Sequence, residues 1–259
     1  MGTGTDRASL AASSGARRYP APMHTQHLIH HDGSTELEAF VARPEDAAKP
    51  TPAVLICHAW SGQSEFEREK ARLLAEWGWV GFAVDVYGKG RRGTDTKSNS
   101  ALMSPFLADR ALLERRLRAA LDACRELEGV DAERVAVIGF CFGGLCALDL
   151  ARSGAGVVAA VSFHGLLNGR DGLETVKSPV KVLALHGHDD PMATADQVAA
   201  FTAEMTAAGI DWQLHQYGHT MHAFTNPSAN DPGFGTVYEP KAARRSFASM
   251  RALLDEAFA

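Results

Sequence analysis

The sequence predicts an α/β fold with a mostly parallel central sheet and helices on both faces. Short apolar runs alternate with stretches of helical period along most of the chain, the βαβα pattern that a parallel sheet requires. Several of these runs, Ala53-Val54-Leu55-Ile56-Cys57 among them, are continuously apolar rather than alternating, as befits strands covered on both faces. With 259 residues, of which 46% are hydrophobic and 22% charged, the chain can bury a large core within one domain.

Residues 1 to about 22 are rich in Gly, Ala, Ser and Thr and contain Pro20 and Pro22, so they read as a flexible extension, with the folded domain over 23–259. Leu28 to His30 and Leu37 to Val41 form two short strands joined at Asp32-Gly33. The run ending at Cys57 is followed by a helix from Phe66 to Trp77, stopped by Gly78, and by a strand from Val80 to Val86. Gly88 to Ser100 reads as a long loop, and Pro105 to Leu127 as one long amphipathic helix. A strand from Arg134 to Ile138 runs into Gly139, and a helix opens after Cys141. Val157 to Ser162 and Val180 to Leu185 are buried strands, Ala193 to Ala208 a helix, Trp212 to Tyr217 a strand and Ala242 to Phe258 a closing helix.

The formal net charge of −5 gives no basic footprint for nucleic acid and argues against binding to anionic membranes. Short basic clusters such as Lys89, Arg91 and Arg92, or Arg115, Arg116 and Arg118, read as solvated faces. The four cysteines include no CxxC pair, and a chain of this size needs no disulfide. No apolar run is long enough to span a bilayer and the first twenty residues lack a secretory h-region, which makes the cytoplasm the default location. No cofactor is expected, and a monomer or homodimer is.

Chemistry concentrates at Val135-Ala136-Val137-Ile138-Gly139-Phe140-Cys141-Phe142-Gly143-Gly144. A nucleophile at a tight strand-to-helix turn needs small residues two positions away on each side, and Gly139 and Gly143 supply them, with Cys141 where a G-x-S-x-G elbow has serine. The following helix N-terminus favours thiolate over thiol, and the Phe142 N–H faces a developing oxyanion. Cys57, Cys124 and Cys146 read as core residues.

An activated cysteine needs a base and a group that orients the base, in the chain order nucleophile, acid, histidine. After the strand ending at Leu185 comes His186-Gly187-His188-Asp189-Asp190-Pro191, where the G-x-x-D spacing favours Asp190 over Asp189. After Tyr217 comes Gly218-His219-Thr220-Met221-His222-Ala223-Phe224, which offers His222 as the base and His219 as its competitor.

Together, Gly139-Phe140-Cys141-Phe142-Gly143-Gly144, the Gly187-x-x-Asp190 turn, His222-Ala223-Phe224 and Asp85-Val86-Tyr87 resemble the dienelactone hydrolase family of the α/β-hydrolase superfamily, over the chain from about Gln26 onward. The resemblance implies a carboxylic ester or lactone hydrolase that works through an acyl-enzyme thioester on Cys141, with His222 and Asp190 completing a triad. It also implies an oxyanion hole pairing the Phe142 N–H with that of Ala59 or Trp60. Three positions depart from the family. Ala59 stands where dienelactone enzymes carry a Glu that contacts the resting thiol. Lys89 stands in place of an Arg that helps hold the substrate carboxylate, and Ala223 in place of a small hydroxyl residue. Lysine offers a point charge where arginine offers a fork. The expected substrate is therefore a small ester or lactone other than dienelactone, in a site to which Lys89, Tyr87 and Phe224 also contribute. Lacking the competing Glu, Cys141 is expected to be persistently ionised.

Two other function classes are consistent with parts of the sequence. His186-x-His188-x-Asp190 approaches a metallohydrolase ligand run, although Pro191 occupies the position of its last ligand. A member of the fold that binds a ligand without turning it over would share the scaffold, but would not need the three residues in catalytic order.

Overall fold

The computed structural model describes residues 22–45, 50–170 and 172–259. An eight-stranded sheet forms its centre, in the order β1-β2-β4-β3-β5-β6-β7-β8. The first two strands, β1 (Met23–Asp32) and β2 (Thr35–Pro44), form an antiparallel hairpin that turns at Gly33, φ +58°. β2 pairs antiparallel with β4 (Val80–Ala83). From there β3 (Thr51–Cys57), β5 (Val130–Phe140), β6 (Ala159–Phe163), β7 (Lys181–Gly187) and β8 (Asp211–Tyr217) extend the sheet in parallel. The proposed extension falls almost wholly outside the described residues.

Helices cover both faces, as the continuous apolar strands require. On one face α1 (Glu65–Glu76) and α6 (Pro240–Ala257) bury Ala71, Leu74, Met250 and Leu254 against Val54, Ile56, Ile138 and Val161. On the other, α2 (Thr96–Ala108), α3 (Arg110–Arg125), α4 (Phe142–Arg152) and α5 (Ala195–Ala207) cover Leu55, Val137, Ala160 and Val182. Successive residues of one strand, such as Val54 and Leu55, thus enter opposite cores, which is why the middle of β3, Ala53 to Ile56, is apolar throughout.

β1 and β5 are longer than the expected Leu28 to His30 and Arg134 to Ile138, and three further boundaries differ from the sequence expectation. The long helix expected from Pro105 to Leu127 is two helices, because Asp109 adopts an extended conformation (φ −124°, ψ 90°) and its carboxylate accepts the Leu112 N–H at 2.8 Å as the N-cap of α3. The loop expected from Gly88 to Ser100 ends early, since Asp95 and Ser98 form a capping box that starts α2 at Thr96. The strand expected from Val80 to Val86 leaves the sheet after Ala83, although residues 84–86 stay buried. No helix among the described residues is long and apolar enough to cross a membrane.

β3 leads through α1 to β4 on one side of it, while β5 and its successors continue on the other. The order therefore reverses between β3 and β5, and their C-terminal loops diverge. Open α/β sheets form ligand crevices at such a point.

The break at Asp109 is testable. Asp109→Ala removes the cap of α3 and should lower the unfolding free energy by about 1 kcal/mol, seen as a reduced urea midpoint with an unchanged m-value. No change would mean that the break is set by packing alone.

Candidate active site

Cys141 sits between β5 and α4 with φ 57° and ψ −118°. A positive φ in a non-glycine residue costs on the order of 1–3 kcal/mol and persists only where its surroundings enforce it. Here Gly139 and Gly143 enforce it. A Cβ on Gly139 would overlap the Gly143 carbonyl, and one on Gly143 would overlap the Cys57 carbonyl of β3. The Cys141 N–H donates to the Phe163 carbonyl (3.0 Å), and its own carbonyl accepts the Gly144 N–H (2.9 Å), so the turn is bonded to β6 and α4 together. Of the four cysteines Cys141 alone is partly exposed.

Asp190 and His222 meet beside it. Asp190 Oδ2 lies 2.7 Å from His222 Nδ1, while Oδ1 accepts the Met192 N–H at 2.8 Å. His222 is clamped on both sides of its backbone, with its N–H on the Gly235 carbonyl (2.9 Å) and its carbonyl receiving the Val237 N–H (3.1 Å). Gly187 lets this loop pack against the end of β7, since a Cβ there would come within 2.5 Å of the Thr220 carbonyl oxygen. The competitors lie elsewhere. Asp189 is exposed and its N–H bonds the Thr220 carbonyl; His219 is exposed as well. His188 bonds Gln216 at 2.8 Å, and among the described residues no group of three or more His, Cys, Asp or Glu is gathered for a metal.

Cys141 and His222 control each other's protons. Desolvation pushes the Cys141 thiol up, but the charge of the His222 imidazolium, with the N–H groups of Phe142 and Trp60, outweighs burial and holds it below the ordinary thiol value. Burial likewise disfavours the His222 cation, yet Cys141 and Asp190 raise its pKa to about 10. His222 Nε2 is buried and makes no hydrogen bond of good geometry in the resting arrangement. Its mutual shift with Cys141 therefore rests on charge more than on a formed bond. Both shifts run in the direction of a charged pair, with the Asp190 carboxylate behind the imidazole.

In the loop after β3 the N–H groups of Ala59 and Trp60 have different partners. The Ala59 N–H donates to Glu67 Oε1 (3.3 Å), whereas the Trp60 N–H reaches Cys141. Glu67, on the first turn of α1 and 1% exposed, also accepts the Ser64 N–H (2.8 Å) and hydroxyl (2.7 Å) on Oε2. Burial raises its pKa. His58 braces the same loop from below: Nε2 accepts the Val86 N–H (3.2 Å) and Nδ1 bonds the Ala59 carbonyl (2.7 Å), while burial lowers its pKa to about 4.

His164 was not singled out in the sequence. It follows β6 with φ 38°, is buried, accepts the Cys141 N–H on Nδ1 (3.2 Å) and bonds Thr225 Oγ1 through Nε2 (2.8 Å). Burial and the nearby His222 charge keep it neutral, well below the usual imidazole value. It thus ties the Cys141 turn to the loop carrying His222. Its position directly after a buried strand was the available signal, the one by which Asp190 was found.

These groups open into a cavity of about 380 Å³ lined by Trp60, Phe66, Met103, Leu166, Met192 and Phe234, with Cys141 and His222 in its wall. The segment around Phe234 therefore covers the site. Three residues expected at the substrate are not brought to it. Lys89 pairs with Glu36 at 2.7 Å on the surface, because the chain turns away after Gly88 and its N–H bonds the Glu36 carbonyl. Tyr87 is fully buried and donates its hydroxyl to the Trp60 carbonyl (3.0 Å), which makes it a support for the β3 loop. Phe224 is fully buried against His164 and Tyr217 as core.

The sequence model described as "Dienelactone hydrolase family" matches residues 37–258. The chain belongs to the dienelactone hydrolase family. With the family comes the enzyme class, a hydrolase acting on ester bonds. This family member is 37% identical over 150 residues to an uncharacterized Caenorhabditis elegans protein, a match covering 57% of this chain and 95% of that one. It is 28% identical over 200 residues to a Yersinia pestis protein whose name gives it as a carboxymethylenebutenolidase, covering 73% and 74% of the two. The crystal structure of a dienelactone hydrolase-like promiscuous phosphotriesterase from metagenomic libraries superposes with a TM-score of 0.85 at 34% identity, covering 92% of this chain and 99% of that one.

The depressed Cys141 thiol should make it the reactive cysteine toward iodoacetamide. The other three cysteines are buried, with Cys124 pushed up to about 12, so one thiol should react. Since thiolate is the reacting form, the alkylation rate should fall much less between pH 9 and pH 7 than that of an ordinary thiol. A thiol of ordinary pKa near ~8.5 would instead slow about 25-fold between pH 9 and 7, and that profile would refute the ion pair.

Proposed function

We propose that this protein is a carboxylic ester or lactone hydrolase in which Cys141 is the nucleophile, His222 the general base and acid, and Asp190 the group that orients His222. One observation carries the reading: Cys141, fixed at a positive φ on the elbow, lines one cavity with a histidine whose Nδ1 Asp190 holds at 2.7 Å. A buried structural cysteine needs neither partner.

In the proposed cycle the Cys141 thiolate adds to the substrate carbonyl. The charge moves to the carbonyl oxygen, where the N–H groups of Phe142 and Trp60 stabilise it; such donors contribute roughly 10²–10³ each in rate. Both already surround the sulfur, from opposite sides of the switch point. Collapse of the tetrahedral adduct expels the alkoxide, which takes its proton from His222, and leaves a thioester on Cys141. His222, now neutral, removes a proton from water as water attacks the thioester. The second collapse releases the carboxylic acid and restores the thiolate–imidazolium pair. Asp190 accepts from Nδ1 throughout, which leaves Nε2 to exchange protons.

The test is hydrolysis of 4-nitrophenyl acetate by the wild type and by Cys141→Ala, His222→Ala and Asp190→Asn. Nucleophile and base act as a unit, so Cys141→Ala and His222→Ala should each lower kcat by at least ~10³, with little further loss on combining them. Asp190→Asn should also lower kcat, with KM little changed. Full activity in Cys141→Ala, or no activity above buffer in the wild type, contradicts the assignment.

A further inference from the structure

We propose that the cavity selects small uncharged esters or lactones with apolar bodies and rejects those that carry a carboxylate, an inference that rests on the hydrolase reading above. The walls support it first. Among the described residues that line the cavity there is no lysine or arginine, and the one ionisable group besides Cys141 and the two histidines is the carboxyl of Glu67. Whether ionised or protonated, Glu67 supplies no positive charge. His164 is neutral, and the His222 cation is already matched by Asp190 and Cys141.

The cations of the neighbourhood are committed elsewhere. Lys89 holds Glu36 at 2.7 Å. Arg91 donates to the Tyr87 carbonyl (3.1 Å), and Arg92 bonds the Gln63 carbonyl and faces Asp85 at 3.5 Å. Lys70 approaches the wall residue Phe66, but its ammonium stands over that ring and the ring of Phe247, at 4.4 and 5.4 Å. A substrate carboxylate entering this space would lose its hydration and meet no counter-charge, with another carboxyl nearby.

What the cavity offers instead is apolar contact. Trp60 and Phe234 stack with centroids 5.8 Å apart and planes 22° apart, and Phe234 is left 44% exposed. An exposed aromatic stacked on the residue whose N–H faces the nucleophile is placed to cover an apolar ligand. At about 380 Å³ the cavity is at the small end for ligand sites.

The experiment compares two acetate esters of nearly one size, 4-acetoxybenzoate and 4-acetoxybenzamide, which share an acyl group and differ by one charge. Each kcat/KM is divided by that ester's own alkaline hydrolysis rate to remove leaving-group differences. The neutral ester should be favoured at least 100-fold. A lysine in the wall, Ala229→Lys or Met192→Lys, each at a partly exposed position, should narrow the ratio at least tenfold. A wild-type ratio near one, or a large ratio that neither lysine narrows, overturns the inference. If the wild type hydrolyses both esters equally while Cys141→Ala hydrolyses neither, only the selectivity fails. If the wild type hydrolyses neither, nor 4-nitrophenyl acetate, the hydrolase reading fails with it.

Discussion

Two carbonyl groups and two missing side chains hold the site in shape. Gly139 packs against the Gly143 carbonyl and Gly143 against the Cys57 carbonyl, at distances no Cβ could occupy. That packing draws α4 onto β3 and β5 and forces the residue between them into a positive φ. A sulfur on such a turn faces the crevice and not the core, with a helix N-terminus behind it. The remaining features follow from where it is held. The β3 loop on one side brings the Trp60 N–H, the start of α4 brings that of Phe142, and the loops after β7 and β8 bring Asp190 and His222.

Three histidines around this turn have the same side chain and different proton affinities. His222 gains two anionic neighbours and is driven upward despite its burial. His58 and His164 are equally buried but bond only neutral groups, so desolvation decides and both stay uncharged. A neutral ring can accept a backbone N–H, as His58 does from Val86 and His164 from Cys141. Position among partners, more than burial, determines which histidine carries the charge.

Much of this was legible in the sequence because it is local. Continuous apolar runs marked the strands, the spacing of Gly139 and Gly143 marked the turn, and Asp190 and His222 followed strand ends in catalytic order. The misses share a different cause. The break at Asp109 interrupts a periodicity that runs through it, and a single capping side chain overrides that pattern. Lys89 was assigned by resemblance and Tyr87 and Phe224 as aromatic rings that could line a pocket, but their side-chain directions depend on tertiary contacts: Glu36, the Trp60 carbonyl and the core around His164. Glu67 was not singled out, being one of three alternate acids, Glu65, Glu67 and Glu69, in the sequence. Only the fold reveals that its carboxyl is buried and fixes the loop that presents Trp60.

The account depends most on a covalent bond between substrate acyl group and Cys141. Acid-quenching the protein during turnover of 4-nitrophenyl butyrate, then weighing it intact and mapping its peptides, tests this directly. The predicted result is a single butyryl adduct on the peptide containing Cys141, absent from Cys141→Ala. An adduct on a serine, or steady turnover with no adduct at any quench time and none on slowing deacylation, would contradict it.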